Sequence, residues 1–320
     1  MNIQRWIARR ESDWKQLDAL LKRAEKKGLR SLKADEIKRL ASLYRSVSGD
    51  LARIKTHQSS QTLASDLQVL TTRSYNQVYQ GSRRQEWEAV REFVLWGFPT
   101  VVQQTALYTT IATATFVLAG LIGWWFSWRD PTFMALLVPG ELISMVRDRG
   151  ELWMGSILGN EPLASSGIMI NNMSVAFRTV GGGITAGLLT LYILFLNGLL
   201  IGAIGTLVGQ NNLAFPFWAF VFPHGSLELP AIFLAGGAGL LLARALLFPG
   251  KYRRADALRH YGGMAAQLVY GVIALLFIAG IIEGFISPNP IIPDIVKYFI
   301  GTALFILLVL YCSRKKPLAS

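Results

Sequence analysis

The chain has 320 residues, of which 52% are apolar and only 16% charged, against roughly 25% charge in a soluble globular protein. That imbalance excludes a disordered chain, and a single cysteine, Cys312, excludes a disulfide scaffold or a thiolate metal cage. The net charge of +12 is unevenly spread: residues 1–100 hold 19 Lys and Arg against 11 Asp and Glu, and residues 101–320 hold 13 against 9. A basic polar third therefore precedes an apolar two thirds.

Residues 1–30 are charged throughout, so no secretory leader is expected there and the N-terminus should stay on the side where it is made. Within 3–26 the apolar positions Ile3, Trp6, Ile7, Trp14, Leu17, Leu20, Leu21 and Ala24 fall at steps of three and four, which predicts an amphipathic helix ended near Gly28. A second such stripe, starting at Ser31 or Lys33 and running to Lys55, uses Leu40, Leu43, Tyr44, Val47, Leu51 and Ile54. A third, over 62–79, uses Leu63, Leu67, Leu70, Tyr75 and Val78. Three stripes of this kind bury one another as a small antiparallel bundle, placed at residues 1–100. Its basic residues alternate with acids instead of forming a run, and no nucleic-acid motif accompanies them. They predict a solvated face beside an anionic inner leaflet, where each basic side chain contributes on the order of 1 kcal/mol of attraction.

The rest of the chain, 101–320, reads as a membrane domain. Helix is expected from Glu86 into a first span at 106–125, which carries no charge and ends at Trp124, Trp125 and Trp128, residues suited to the headgroup zone. The stretch 131–161 mixes apolar residues with Arg147, Asp148, Arg149 and Glu151, which suits an interfacial amphipathic segment. The next apolar block, 168–208, is too long for one ordinary span. It is either one long tilted helix or a hairpin of spans at 166–180 and 184–207 turned at Gly181, Gly182 and Gly183. Further spans are predicted at 229–248, 264–285 and 295–311, and the short stretch 215–222 before Pro223 could be a half-helix that enters and returns.

Charge arbitrates between five and six crossings, because Lys and Arg mark the cytoplasmic segments. These are the N-terminal region, Lys251, Arg253, Arg254 and Arg259, and the tail residues Arg314, Lys315 and Lys316, while 209–227 and 287–293 hold no Lys or Arg. Six spans put all three basic regions on one side, as do four full spans plus a re-entrant element; six is preferred. The expected fold class is all-α: a polytopic membrane bundle with an N-terminal soluble helical bundle.

Ionisable groups at membrane depth cost at least ~2.5 kcal/mol, so each needs a partner or a role. The candidate functional residues are His224, Glu228 and Glu283, the amides Asn171, Asn172 and Asn197, and the bases Arg178 and Arg244. His224 and Glu228 are four residues apart and would share a helix face. An enzyme would need more. Of the three histidines, His57, His224 and His260, none forms the H-E-x-x-H pair of a metalloprotease, and Ser226 lacks the G-x-S-x-G elbow of a hydrolase. No cofactor or metal is expected. Glycines at Gly183 and Gly187, and at Gly198 and Gly202, have the G-x-x-x-G spacing that lets backbones approach, within one bundle or between subunits of a homo-oligomer.

These residues resemble a known family. Asn171-Asn172 with Val175-Ala176-Phe177, the glycine group, Asn197-Gly198 and Gly202 are similar to the pattern of the stage II sporulation protein M family of bacterial membrane proteins. So are Pro223-His224-Gly225 with Glu228-Leu229, Ala235-Gly236, Pro249-Gly250, and Ile282-Glu283-Gly284-Phe285 with Pro288. The N-terminal Leu43-Tyr44-Arg45 and Asp50-Leu51-Ala52 resemble its longer, non-sporulation members. The resemblance implies a multi-pass inner-membrane protein with no catalytic residue, whose polar motif positions include His224, Glu228 and Glu283. It also implies a scaffold for envelope partners: cell-wall-modifying proteins, or MoxR-type ATPases, von Willebrand factor A-like proteins and RDD membrane proteins. The competing expectation, from a helix broken at Pro223 to Gly225, is an ion- or proton-coupled transporter or channel using His224, Glu228 and Glu283.

Overall fold

The computed structural model describes residues 3–57, 61–80, 83–154 and 161–316, which form helices and turns with no strand among them. The chain divides into two compact units, Met1–Val94 and Leu95–Ser320.

In the first unit α1 (Ile3–Lys27), α2 (Ala34–His57) and α3 (Gln61–Tyr75) turn their apolar stripes onto a common core that includes Leu17, Leu21, Leu40, Leu43, Val47 and Leu67. Gly28 ends α1 with φ of 79°, a left-handed conformation that a side chain would oppose. At the start of α2 the Glu36 carboxylate accepts from the Lys33 backbone N–H at 2.8 Å, half of a capping box. Asp50 on α2 is buried and accepts from Trp14 Nε1 and Arg10 Nε of α1, each at 2.9 Å. Arg73 of α3 reaches Asp18 and Glu25 of α1, both at 2.8 Å. A π-helical stretch, Asn76–Gln80, and α4 (Arg83–Glu92) follow.

The second unit contains α5 (Phe98–Gln104), α6 (Ala106–Arg129), α7 (Pro131–Leu137), α8 (Gly140–Ser144), α9 (Glu161–Gly181), α10 (Leu188–Gln210), α11 (Ala214–Leu247), α12 (Arg254–Phe285) and α13 (Asp294–Cys312). Helix leads into the first predicted span, with a π-helical stretch at Phe93–Gly97 and a turn at Thr105. Asp130 stops α6 and caps α7, accepting from the Thr132 hydroxyl at 2.7 Å and its backbone N–H at 2.8 Å, and these bonds hold its carboxyl below the ordinary range. The segment predicted as interfacial contains α7, α8 and a π-turn at Met145–Arg149; Met134, Val138 and Val146 from it pack on Ala203 and Leu207 of α10. Residues 155–160 of that prediction lie outside the described residues.

Five helices, α6, α10, α11, α12 and α13, are long and apolar enough to cross a membrane. The second predicted span is α9, which stands outside that set of five and is broken by polar residues including Asn171, Asn172 and Arg178. It nevertheless runs alongside α11 in the same direction: Asn172 meets Glu228, Thr179 meets Gly239, and Gly183, just past the helix, meets Gly239 and Leu242.

Of the two readings of 168–208, the structure adopts the hairpin. The chain leaves α9 at Gly181, makes a 3₁₀ turn at Gly182–Thr185, and reverses through Ala186 (φ 57°) and Gly187 (φ 84°), both left-handed. The half-helix at 215–222 is corrected: it is the first part of α11, a single helix of 34 residues that passes through Pro223 and Pro230. Each proline costs one backbone hydrogen bond, and an apolar bundle tolerates it where neighbouring groups compensate. Pro223 and Pro230 leave the carbonyls of Ala219 and Ser226, four residues before them, without their usual helical N–H donors; the Ser226 hydroxyl donates to a different carbonyl, that of Pro223, at 2.9 Å. α11 is also the centre of the unit, with 61% of its most apolar stretch buried against 11% for α13.

Glycine sets the spacing of the other helices. A Cβ on Gly198 would overlap the Phe116 carbonyl, one on Gly202 the Gly120 carbonyl, and one on Gly123 the Leu199 carbonyl, so the backbones of α6 and α10 touch.

Candidate functional site

The buried polar groups of the second unit converge from α9, α11 and the end of α12. His224 and Glu228 lie one turn apart on α11, as their spacing predicts. The antiparallel α12 brings Glu283, in its last turn, beside them. After α12 the Ser287 N–H bonds the Ile282 carbonyl at 2.9 Å, which folds the chain back and carries the Ser287 hydroxyl to His224. The contacts are specific. His224 Nδ1 is 2.9 Å from Ser287 Oγ, and Asn172 Nδ2 of α9 donates to Glu228 Oε1 at 2.6 Å. Glu283 Oε1 lies 3.8 Å from His224 Nε2, while Glu283 Oε2 is buried with no hydrogen-bond partner among the described residues. Glu283 is also within electrostatic reach of Glu228. The Phe220 ring meets the imidazole edge-on, centroids 5.6 Å apart. His224, Glu283 and Ser287 are all buried, Ser287 completely.

The structure therefore brings together four of the eight predicted residues: His224, Glu228, Glu283 and Asn172. The others lie apart from this cluster. Asn171 and Arg178 are exposed. Asn197 returns its amide to the Ile193 carbonyl of its own helix at 2.8 Å. Arg244 is exposed, donates to the Tyr108 hydroxyl, and stacks over the Tyr261 ring with 4.9 Å from its guanidinium carbon to the centroid. Ser287 was missed because it lies beyond the predicted span, although its place four residues after Glu283 carried a signal. Ser226 is buried, and its hydroxyl donates to the Pro223 carbonyl of its own helix.

Among the described residues no three His, Cys, Asp or Glu side chains are grouped as metal ligands. A cavity of about 580 Å³ lies beside α11, between α6 and α13, lined mainly by apolar side chains such as Phe222, Phe233, Phe305 and Leu308. His224, Glu228 and Glu283 do not line it.

The family model described as stage II sporulation protein M matches residues 112–288, more than half of the chain. The chain belongs to this family. The match runs from within α6 to just past Ser287, so all five members of the polar cluster fall inside the sporulation protein M region. A domain of unknown function, DUF8413, matches residues 4–80, the three-helix part of the first unit. No curated protein and no solved structure matches the chain. Family membership and the apolar helices make it an integral, multi-pass membrane protein.

Proposed function

We propose that this sporulation protein M family member is a non-enzymatic scaffold of the bacterial inner membrane that recruits envelope-associated partners onto its N-terminal bundle, held in the cytoplasm. The observation that carries this reading is an open groove between α1 and α3, of about 570 Å³. Its floor is apolar, with Ile7, Trp14, Leu63 and Leu67, and its rim carries both signs of charge, with Glu11, Lys15, Asp66 and Arg73. Such a groove suits the apolar face of an amphipathic helix, with rim charges choosing partner and register. The orientation follows from charge. With α9 counted beside the five apolar helices, six crossings place the N-terminal unit, the loop bearing Lys251 to Arg259, and Arg314 to Lys316 on one side, the cytoplasmic one. The partner classes are those the family resemblance implies: MoxR-type ATPases, von Willebrand factor A-like and RDD membrane proteins, or cell-wall-modifying proteins.

Transport coupled to an ion or proton is the competing reading and draws on the polar cluster. It requires a polar route to His224, Glu228 and Glu283, and the apolar cavity beside α11 passes them by. Photo-cross-linking from groove positions in native membranes tests the scaffold. An ATPase or cell-wall partner should be captured, and Leu63→Glu should reduce capture by about tenfold, the scale of losing one central anchor. Recovery of the same partner by a chain lacking residues 1–94 would defeat the docking claim.

A further inference from the structure

Polar side chains on α6, α10 and α13 find partners on their own helices: Thr113, Thr115, Asn197 and Thr302 each donate to the carbonyl four residues back. On α9 two do not. Among the described residues neither the Asn171 amide nor the Ser174 hydroxyl has a hydrogen-bond partner, and Arg178 has neither a hydrogen bond nor an ion pair. Steps of three and four put these three residues on one face of the helix, together with Gly167 and Gly181. That face is the outer one. Asn171, Arg178 and both glycines are exposed, while on the opposite side Asn172 bonds Glu228 and Ala176 and Thr179 are buried.

Depth makes such a face costly. From Ala214, at the start of α11, to Glu228 is 14 residues, about 21 Å at 1.5 Å per residue, so Asn171 and its neighbour lie well inside a hydrocarbon layer about 30 Å thick. Lipid offers an exposed amide or hydroxyl at that level no partner. The glycines point the same way. Gly181 has φ of −60°, which any residue adopts, and a Cβ on Gly167 or Gly181 would meet nothing within 4 Å. Gly183, Gly198 and Gly202, by contrast, are occupied by contacts within the chain.

We propose that this face of α9 binds the same face of a second copy of the chain, giving a homodimer about a two-fold axis along the membrane normal. Two copies in one membrane share an orientation, so their α9 helices meet in parallel and each residue faces its counterpart. Asparagine and serine suit that arrangement because each both donates and accepts, and glycine because it lets backbones close. A different membrane helix would need matching groups at the same steps, whereas a second copy supplies them by symmetry. Arg178 lies in the last turn of α9, at the cytoplasmic end in the six-crossing orientation. There the negative end of the helix dipole and the anionic headgroups attract both guanidinium groups, and their length lets them splay apart. This inference rests on α9 being the sixth crossing and is independent of docking at the α1/α3 groove.

The test uses the full-length protein in vesicles of anionic phospholipid, with energy transfer between donor- and acceptor-labelled chains followed as added lipid dilutes them. Wild type should dimerise, and Asn171→Leu should weaken association about tenfold, the scale of one interhelical polar pair. Gly167→Ile, which holds the backbones apart, should weaken it at least as much. Both positions are exposed in the single chain, so both variants should fold. In a Cys312→Ser background, oxidation should link Ser174→Cys chains in pairs and leave Leu307→Cys, exposed on α13, unlinked. Wild type that is monomeric at every dilution overturns the proposal, as does a dimer that both Asn171→Leu and Gly167→Ile leave intact. Labelling of Ser174→Cys by a membrane-impermeant maleimide would place α9 outside the bilayer and remove the six-crossing count together with the dimer. An unlabelled Ser174→Cys in a monomeric protein removes the dimer alone.

Discussion

The two units bury their helices by opposite means. In the N-terminal bundle large side chains keep the helices apart and fill the space between them: Leu17, Leu21, Leu40 and Leu43 are almost wholly buried, and charged pairs such as Arg73 with Asp18 and Glu25 link the helices. In the membrane unit the helices approach until backbones touch, at Gly198 and Gly202 against α6 and at Gly183 against α11. The solvent explains the difference. Water rewards the burial of leucine, whereas lipid tails are as apolar as leucine and leave close packing and internal hydrogen bonds to hold helices together. Most charged groups of the first unit lie at its rim, the buried Asp50 excepted, while the second unit buries His224, Glu283 and Ser287 together.

The comparison predicts where each unit breaks. The largest effect is expected from Leu21→Ala, which leaves a cavity in the soluble core and should cost about 2–5 kcal/mol. Hydrogen exchange of the full chain should show α1 to α3 losing protection while α10 and α11 keep theirs; equal loss in both units would show that they are stabilised together. The reciprocal substitution, Gly202→Ala, adds a methyl group where the Gly120 carbonyl lies and should cost about 1–3 kcal/mol in the membrane unit. Gly209→Ala on the same helix, with nothing within 4 Å of its Cβ, is the control and should be neutral in the same detergent melt.

The smallest effect concerns acid. Hydrogen bonding from Lys22 and then Arg73 holds the Asp18 carboxyl below its ordinary range, and the Arg23 side chain and Lys33 N–H do the same for Glu36. A carboxyl whose folded value is depressed stabilises the fold above its unfolded value and loses that contribution as pH falls through the folded one. The N-terminal bundle should therefore weaken only below about pH 4, with Asp18 contributing at most about 1 kcal/mol at its partly exposed site. Acid titration of wild type against Asp18→Asn, followed by exchange in α1 and α3, measures this. A mutant with an unchanged acid midpoint would remove the pair from the account of stability.

Much of this architecture was legible in the sequence, because periodicity and run length are local properties. The stripes at 3–26 and 62–79 and the apolar runs around α6, α12 and α13 needed no knowledge of neighbours, whereas the choice between one long helix and a hairpin over 168–208 stayed open. The prolines of α11 misled for a local reason: each removes one backbone bond, but whether the helix survives depends on what packs beside it. The site was half legible. The step of four between His224 and Glu228 places both on one face, yet nothing local distinguishes Asn171 from Asn172. One is exposed and the other bonds Glu228, because adjacent helical residues point about 100° apart and the rotation of α9 against α11 decides which faces inward.

The amino-acid sequence by itself determined that this chain is helical, which stretches are apolar enough for lipid, and that its leading third is polar and basic. Hydropathy, period and charge are summed along the chain, so no partner helix enters them. Only the tertiary structure decided that α11 runs unbroken at the centre, that Ser287 reaches His224, and that Glu283 comes to face the same imidazole. Those outcomes depend on the rotation and depth at which separate helices meet, and packing of the whole bundle sets both.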